Sequence, residues 1–183
     1  FDGLKVVVDC ANGAAYQVAP SAIWELGAEV VAIGVTPNGT NINDGVGSTA
    51  IAALQAKVVE EQADIGIALD GDGDRVVLVD EKAQILTADR LLSLFAQMCL
   101  EQHPEQEIVF DVKCSRMVQE TVEKLGGKAK MIRTGSSFLR AYLSQSNGRA
   151  IFGGEYAGHY VFNDGRGFGY DDGLYAALRG MEY

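Results

Sequence analysis

Short apolar runs alternate along this chain with segments whose apolar residues recur at helical spacing. The runs lie at residues 4–10, 29–33, 65–69, 76–79, 107–112, 130–133, 150–155 and 160–162 and are bounded by Gly, Asn, Asp or Ser. Runs of this length and composition predict buried strands. Residues 17–26, 50–62, 89–100, 117–125, 137–144 and 171–181 predict helices. Gly27 and Gly126-Gly127 stop two of these. Strand, helix and strand between residues 4 and 33 make a βαβ unit. Residues 36–48 are polar and rich in Gly and Asn, a long loop. Leu54 and Val58, then Leu91, Leu92, Phe95 and Met98, mark core-facing stripes, and Trp24 is expected in the core.

The pattern begins again near residue 88. The fold class expected is α/β, with two consecutive similar α/β domains, each a mixed sheet packed with helices. A boundary near 82–88 gives domains at 1–86 and 87–183. Similarity between the halves is too weak to establish a repeat from sequence alone.

Composition narrows the class. The chain has 183 residues, 48% of them apolar, enough for one large or two small domains with real cores. No segment approaches the roughly 18 apolar residues of a membrane span. A net charge of −10 argues against nucleic acid as a partner but leaves room for a local basic site and an anionic substrate. The three cysteines show no zinc spacing and read as buried free thiols of a cytoplasmic protein. The chain begins at Phe1 rather than Met, which suggests a piece of something longer.

The most informative stretch is Asp70-Gly71-Asp72-Gly73-Asp74-Arg75, between two strand-like runs. Three like charges in five residues repel one another, and a divalent cation removes that penalty. Carboxylates are hard ligands suited to Mg²⁺ or Ca²⁺, and the glycines allow them to converge. A solvated acidic hairpin tip is the bland alternative. An EF-hand is excluded, because its sixth loop position needs Gly and here it is Arg75. An aspartate-nucleophile phosphatase remains as the alternative enzyme, with Asp70 as nucleophile, Asp72 as acid and Lys113 as charge partner. Asn12-Gly13 reads as a plain turn, and Asp171-Asp172 as a helix cap rather than a metal pair. Arg166, in a Gly-rich loop, reads equally as a substrate-facing cation or a solvated one.

From end to end the chain resembles the α-D-phosphohexomutases. Residues 70–75 look like that family's Mg²⁺ loop, and Gly154-Glu155-Tyr156-Ala157-Gly158-His159 resembles its sugar-recognition loop. The family has four domains, and this chain resembles the middle two. The resemblance implies Asp70, Asp72 and Asp74 as ligands of Mg²⁺, with Arg75 contacting phosphate or organising the loop. It implies Lys113 in proton transfer, and Glu155 and His159 as partners of sugar hydroxyls. Gly153-Gly154 and Gly158 suggest an exposed binding loop around them. The substrate implied is a hexose or hexosamine phosphate whose phosphate moves between C1 and C6 through a phosphoserine.

Three positions depart from the family pattern. Ala157 stands where Ser is usual, Ser136 where the phosphomannomutase branch has His, and Arg133 where it has Lys. No phosphoserine segment and no terminal phosphate loop occur in these residues. The expectation is a fragment without turnover of its own, needing the family's outer domains; a non-catalytic product of domain recombination is the further alternative. Residues 1–79 resemble the phosphoglucosamine mutase branch, whereas residues from 85 on resemble the phosphomannomutase/phosphoglucomutase branch. That switch suggests a chimera.

Overall fold

A computed structural model describes all 183 residues, and they form two compact units. The first comprises Phe1–Leu86 with Gly173–Tyr183, and the second Thr87–Asp172.

In the first unit the order is β1 (Lys5–Asp9), α1 (Val18–Glu25), β2 (Glu29–Ile33), α2 (Ala52–Glu61), β3 (Ile65–Leu69), β4 (Val76–Asp80) and β5 (Ile85–Leu86). The sheet runs β2-β1-β3-β4-β5, with β2, β1 and β3 parallel and β4 and β5 antiparallel. Val6, Val7 and Val8 are all fully buried, as an apolar run in a sheet covered on both faces should be. Leu54 and Val58 of α2 pack with Val7, Ala68 and Val79. Gly66 lets that helix sit close, since a Cβ there would lie 2.7 Å from Val58 Cγ2.

The second unit contains α3 (Ala88–Gln102), β6 (Glu107–Asp111), α4 (Arg116–Lys124), β7 (Lys128–Ile132), α5 (Ser136–Gln145), β8 (Ala150–Gly154) and β9 (Tyr160–Phe162). Its sheet runs β7-β6-β8-β9, again with the last strand antiparallel. Phe95 of α3 meets Phe152, Tyr160 and Phe162 edge-on, with ring centroids 5.7, 5.2 and 5.1 Å away. The expected α/β class holds, and β2-β1-β3-β4 and β7-β6-β8-β9 share one topology. The repeat that the sequence could not establish is thus present in the fold.

Two local expectations fail. Trp24 is 68% exposed, because α1 buries only the Ala19–Ile23 stripe and Trp24 lies about 100° further round. Gly153 and Gly154 are buried strand residues, not part of an exposed loop. A Cβ on either would come within 2.5 Å of Leu139 Cδ1 or 2.9 Å of Leu92 Cδ1, so helices close on both. The two-residue β5 escapes the pattern altogether. The last helix, α6 (Gly173–Glu182), packs on β3 and β4 of the first unit. No helix is long and apolar enough to cross a membrane.

Candidate functional site

From β1 the chain crosses to β2 on one side, then returns past β1 to β3 on the other. Such a reversal opens a crevice beyond the carboxyl ends of the two central strands. Here the loops after β1, β2 and β3 line a cavity of about 610 Å³ with Asn12, Tyr16, Asn43, Asp70, Asp72 and Arg75.

The acidic loop is tight and backed from several directions. Gly73 adopts φ +80° and donates its N–H to the Asp70 carbonyl at 3.1 Å. Ala14 N–H donates to the Gly71 carbonyl at 2.8 Å, and Gly173 N–H, opening α6, to the Gly73 carbonyl at 2.9 Å. A Cβ on Gly13 would lie 2.2 Å from the Gly71 oxygen, so this approach requires glycine. Asp9, fully buried at the end of β1, accepts N–H bonds from Ala11 at 2.9 Å and Gly47 at 2.7 Å. Burial pushes the Asp9 carboxyl above its ordinary range despite those two donors.

Asp70, Asp72 and Asp74 come together, with one oxygen from each lying within 4.8 Å of the others. Asp70 is buried, Asp74 half-buried and Asp72 exposed. Burial alone would raise the Asp70 carboxyl. The Arg75 backbone N–H and guanidinium outweigh burial and hold it below the usual range. The cluster is a candidate metal centre of oxygen donors.

The second unit repeats the strand order, with β6 and β8 as its central parallel strands. Asp111, fully buried, ends β6 and ties three loops together. Its Oδ1 accepts from Tyr156 N–H and Cys114 Sγ, each at 3.1 Å, and its Oδ2 from Thr134 Oγ1 at 2.7 Å. The Asp111 carboxylate and burial both push the Cys114 thiol up, burial more strongly. Between β8 and β9 the chain turns tightly. Glu155 N–H donates to the His159 carbonyl at 2.9 Å, Gly158 N–H to the Glu155 carbonyl at 3.0 Å, and Gly158 takes φ +97°. Glu155 and His159 therefore stand at the two feet of one turn, with exposed Ala157 near its tip. The Glu155 carboxylate is buried and accepts the Gly135 N–H. Lys113 is exposed in the loop after β6. Arg133 is exposed after β7, its guanidinium 3.2 Å from the centroid of the Phe138 ring. Arg166 is exposed.

Sequence reasoning missed two residues at these loops. Asp111 reads in sequence only as the end of a strand. Asp171, expected to cap α6, instead lies 3.3 Å from both His159 Nδ1 and Arg140 Nη1. The sole sequence signal for Asp111 is its place, matching that of Asp9, at the end of the first parallel strand.

The phosphoglucomutase/phosphomannomutase family model for alpha/beta/alpha domain II matches residues 2–83, and that for alpha/beta/alpha domain III matches residues 87–183. A phosphoglucosamine mutase of Erythrobacter litoralis is 47% identical over 181 residues, which cover 98% of this chain and 39% of that protein. Other phosphoglucosamine mutases, at 43% to 46% identity, also align with 98% of the chain. The chain spans 39% to 40% of the length of these relatives. The crystal structure of a phosphoglucomutase/phosphomannomutase family protein from Burkholderia thailandensis has a TM-score of 0.88 at 38% identity, over 98% of this chain and 39% of that one. The Aspergillus fumigatus N-acetylphosphoglucosamine mutase, solved with GlcNAc-6P and magnesium, has a TM-score of 0.68 at 18% identity, covering 98% of this chain and 46% of that one. That last likeness is of fold alone.

These alignments overturn the chimera. One kind of enzyme, phosphoglucosamine mutase, matches nearly the whole chain across the domain boundary. The stretch that suggested a second branch, from residue 85 on, aligns with the same phosphoglucosamine mutases as residues 1–79 do.

Proposed function

Because the chain belongs to the phosphoglucomutase/phosphomannomutase family, we propose that it forms the metal-loop domain (1–86) and sugar-recognition domain (87–183) of a hexosamine-phosphate mutase. The reaction of the whole enzyme would move a phosphoryl group between C1 and C6 of glucosamine phosphate, by way of a phosphoserine supplied outside these residues. The observation that carries this reading is the convergence of three carboxylates on one loop at a crevice of the sheet, in a chain whose relatives are phosphoglucosamine mutases.

An all-oxygen donor set suits Mg²⁺, which would be held by Asp70, Asp72 and Asp74 and would neutralise charge on a transferring phosphoryl group. Arg75 keeps Asp70 ionised and leaves part of its own guanidinium exposed for a phosphate oxygen. In the second unit Glu155 and His159 take sugar hydroxyls, their spacing fixed by the backbone bonds of their turn. Ala157 offers no hydroxyl there, so sugar binding lacks one hydrogen bond. Lys113 and Arg133 supply the exposed cations, Lys113 for proton transfer and Arg133 for the substrate phosphate.

Titrating the ¹⁵N-labelled chain with glucosamine 6-phosphate tests this. Amides of residues 155–159 and the His159 ring are expected to shift, more than with mannose 6-phosphate. Shifts confined to other parts of the chain would overturn the reading.

A further inference from the structure

Asp171 lies just before α6, where sequence alone makes it a helix cap. Its side chain is only 7% exposed. Oδ2 lies 3.3 Å from His159 Nδ1, and Oδ1 lies 3.3 Å from Arg140 Nη1 on α5. Its backbone is pinned as well, through an antiparallel bridge to Val161, two residues beyond His159. Asp171 thus joins α5, the β8–β9 turn and the segment leading to α6.

His159 Nδ1 is shielded from solvent, while the side chain as a whole keeps 15% exposure. The open part of the ring therefore excludes Nδ1. A bare Nδ1 lone pair facing a carboxylate would be repelled, whereas an Nδ1–H is attracted. Arg140 holds the other Asp171 oxygen and orients the carboxylate.

From this we propose that Asp171 is a positioning residue that holds neutral His159 in the Nδ1–H tautomer and leaves Nε2 as the acceptor offered to a ligand. The role of that acceptor, taking a hydroxyl proton of a sugar phosphate, rests on the functional reading above; the tautomer does not. A carboxylate behind the ring fixes both its orientation and the nitrogen that carries the proton.

The chain has only two histidines, so its imidazole spectrum can be assigned by a single His103→Gln substitution. Long-range ¹H–¹⁵N NMR at a pH where the rings are neutral reads the tautomer directly, without any ligand. His159 is expected to carry its proton on Nδ1 in the unsubstituted chain. In Asp171→Ala the majority form should switch to Nε2–H, the usual preference of a free imidazole, and Asp171→Glu should restore at least part of the original form. Arg140→Met should leave the Nδ1–H form in place, because it removes the brace but not the acceptor. A predominantly Nε2–H ring in the unsubstituted chain overturns the proposal whether or not the variants fold. So does an unchanged tautomer in a folded Asp171→Ala. A tautomer that behaves as stated, with no response of His159 to glucosamine 6-phosphate, would uphold the Asp171 assignment and count against the functional reading instead.

Discussion

Arg75 closes the acidic loop on Asp70: its Nε lies 2.5 Å from Oδ2, and its backbone N–H donates to Oδ1 at 3.1 Å. One residue thus answers both oxygens of a buried carboxylate, and the folded state holds Asp70 ionised below its ordinary range. A carboxyl depressed on folding stabilises the protein above its unfolded value and loses that contribution as pH falls through the folded one. Arg75→Met should therefore cost about 1–2 kcal/mol near neutral pH, given partial exposure of the guanidinium. The Tm gap between the two proteins should narrow between about pH 5 and about pH 3. A gap constant across that range would contradict the assignment.

Asp9 and Asp111 end equivalent strands, yet their oxygens meet different donors. Both Asp9 oxygens accept backbone N–H groups. An amide in its place must aim its NH₂ at one of them, so Asp9→Asn should cost about 1–3 kcal/mol. At Asp111 one partner is the Thr134 hydroxyl, which can turn to accept from an amide. Asp111→Asn should cost less, within about 1 kcal/mol. Urea midpoints of the two variants decide the order.

Gly13→Ala drives a methyl group into the Gly71 carbonyl, which must move. The expected loss is about 1–3 kcal/mol, together with weaker divalent-cation binding, because the displaced loop carries the carboxylates. Thermal unfolding and Mn²⁺ titration monitored by relaxation measure both effects. Full cation affinity in a destabilised Gly13→Ala would separate the two loops and contradict the bracing.

Mg²⁺ binding by this chain should be weak, with a Kd on the order of 1 mM. Three carboxylates leave several octahedral positions to water, and Mg²⁺ gives up water reluctantly. Asp72→Asn should weaken binding further. Calorimetry showing tight, stoichiometric uptake would contradict the weak site.

The strands were legible because each is a compact apolar run, and the acidic loop because local spacing alone makes its charges crowd. What escaped is non-local. Asp111 reaches Tyr156 across 45 residues, and nothing near either predicts the bond. Asp171 sits two residues before α6 and so looks like a cap, while its partners come from α5 and the β8–β9 turn. Trp24 misled because a one-residue step carries it off the short buried stripe of α1. The repeat was hidden because topology repeats while the loop chemistry diverges, acidic after β3 and Glu–His after β8.

The central claim is that these residues form the metal and sugar-recognition parts of a phosphoglucosamine mutase. Its most direct test replaces the matching segment of the Erythrobacter litoralis phosphoglucosamine mutase, 47% identical over 181 residues, with this chain. Turnover of glucosamine phosphate by the folded graft should stay within about tenfold of the unaltered enzyme, a barrier change of about 1.4 kcal/mol. Asp72→Asn in the graft should remove most of that turnover. A well-folded graft that does not turn over glucosamine phosphate, or whose turnover survives Asp72→Asn, would contradict the account.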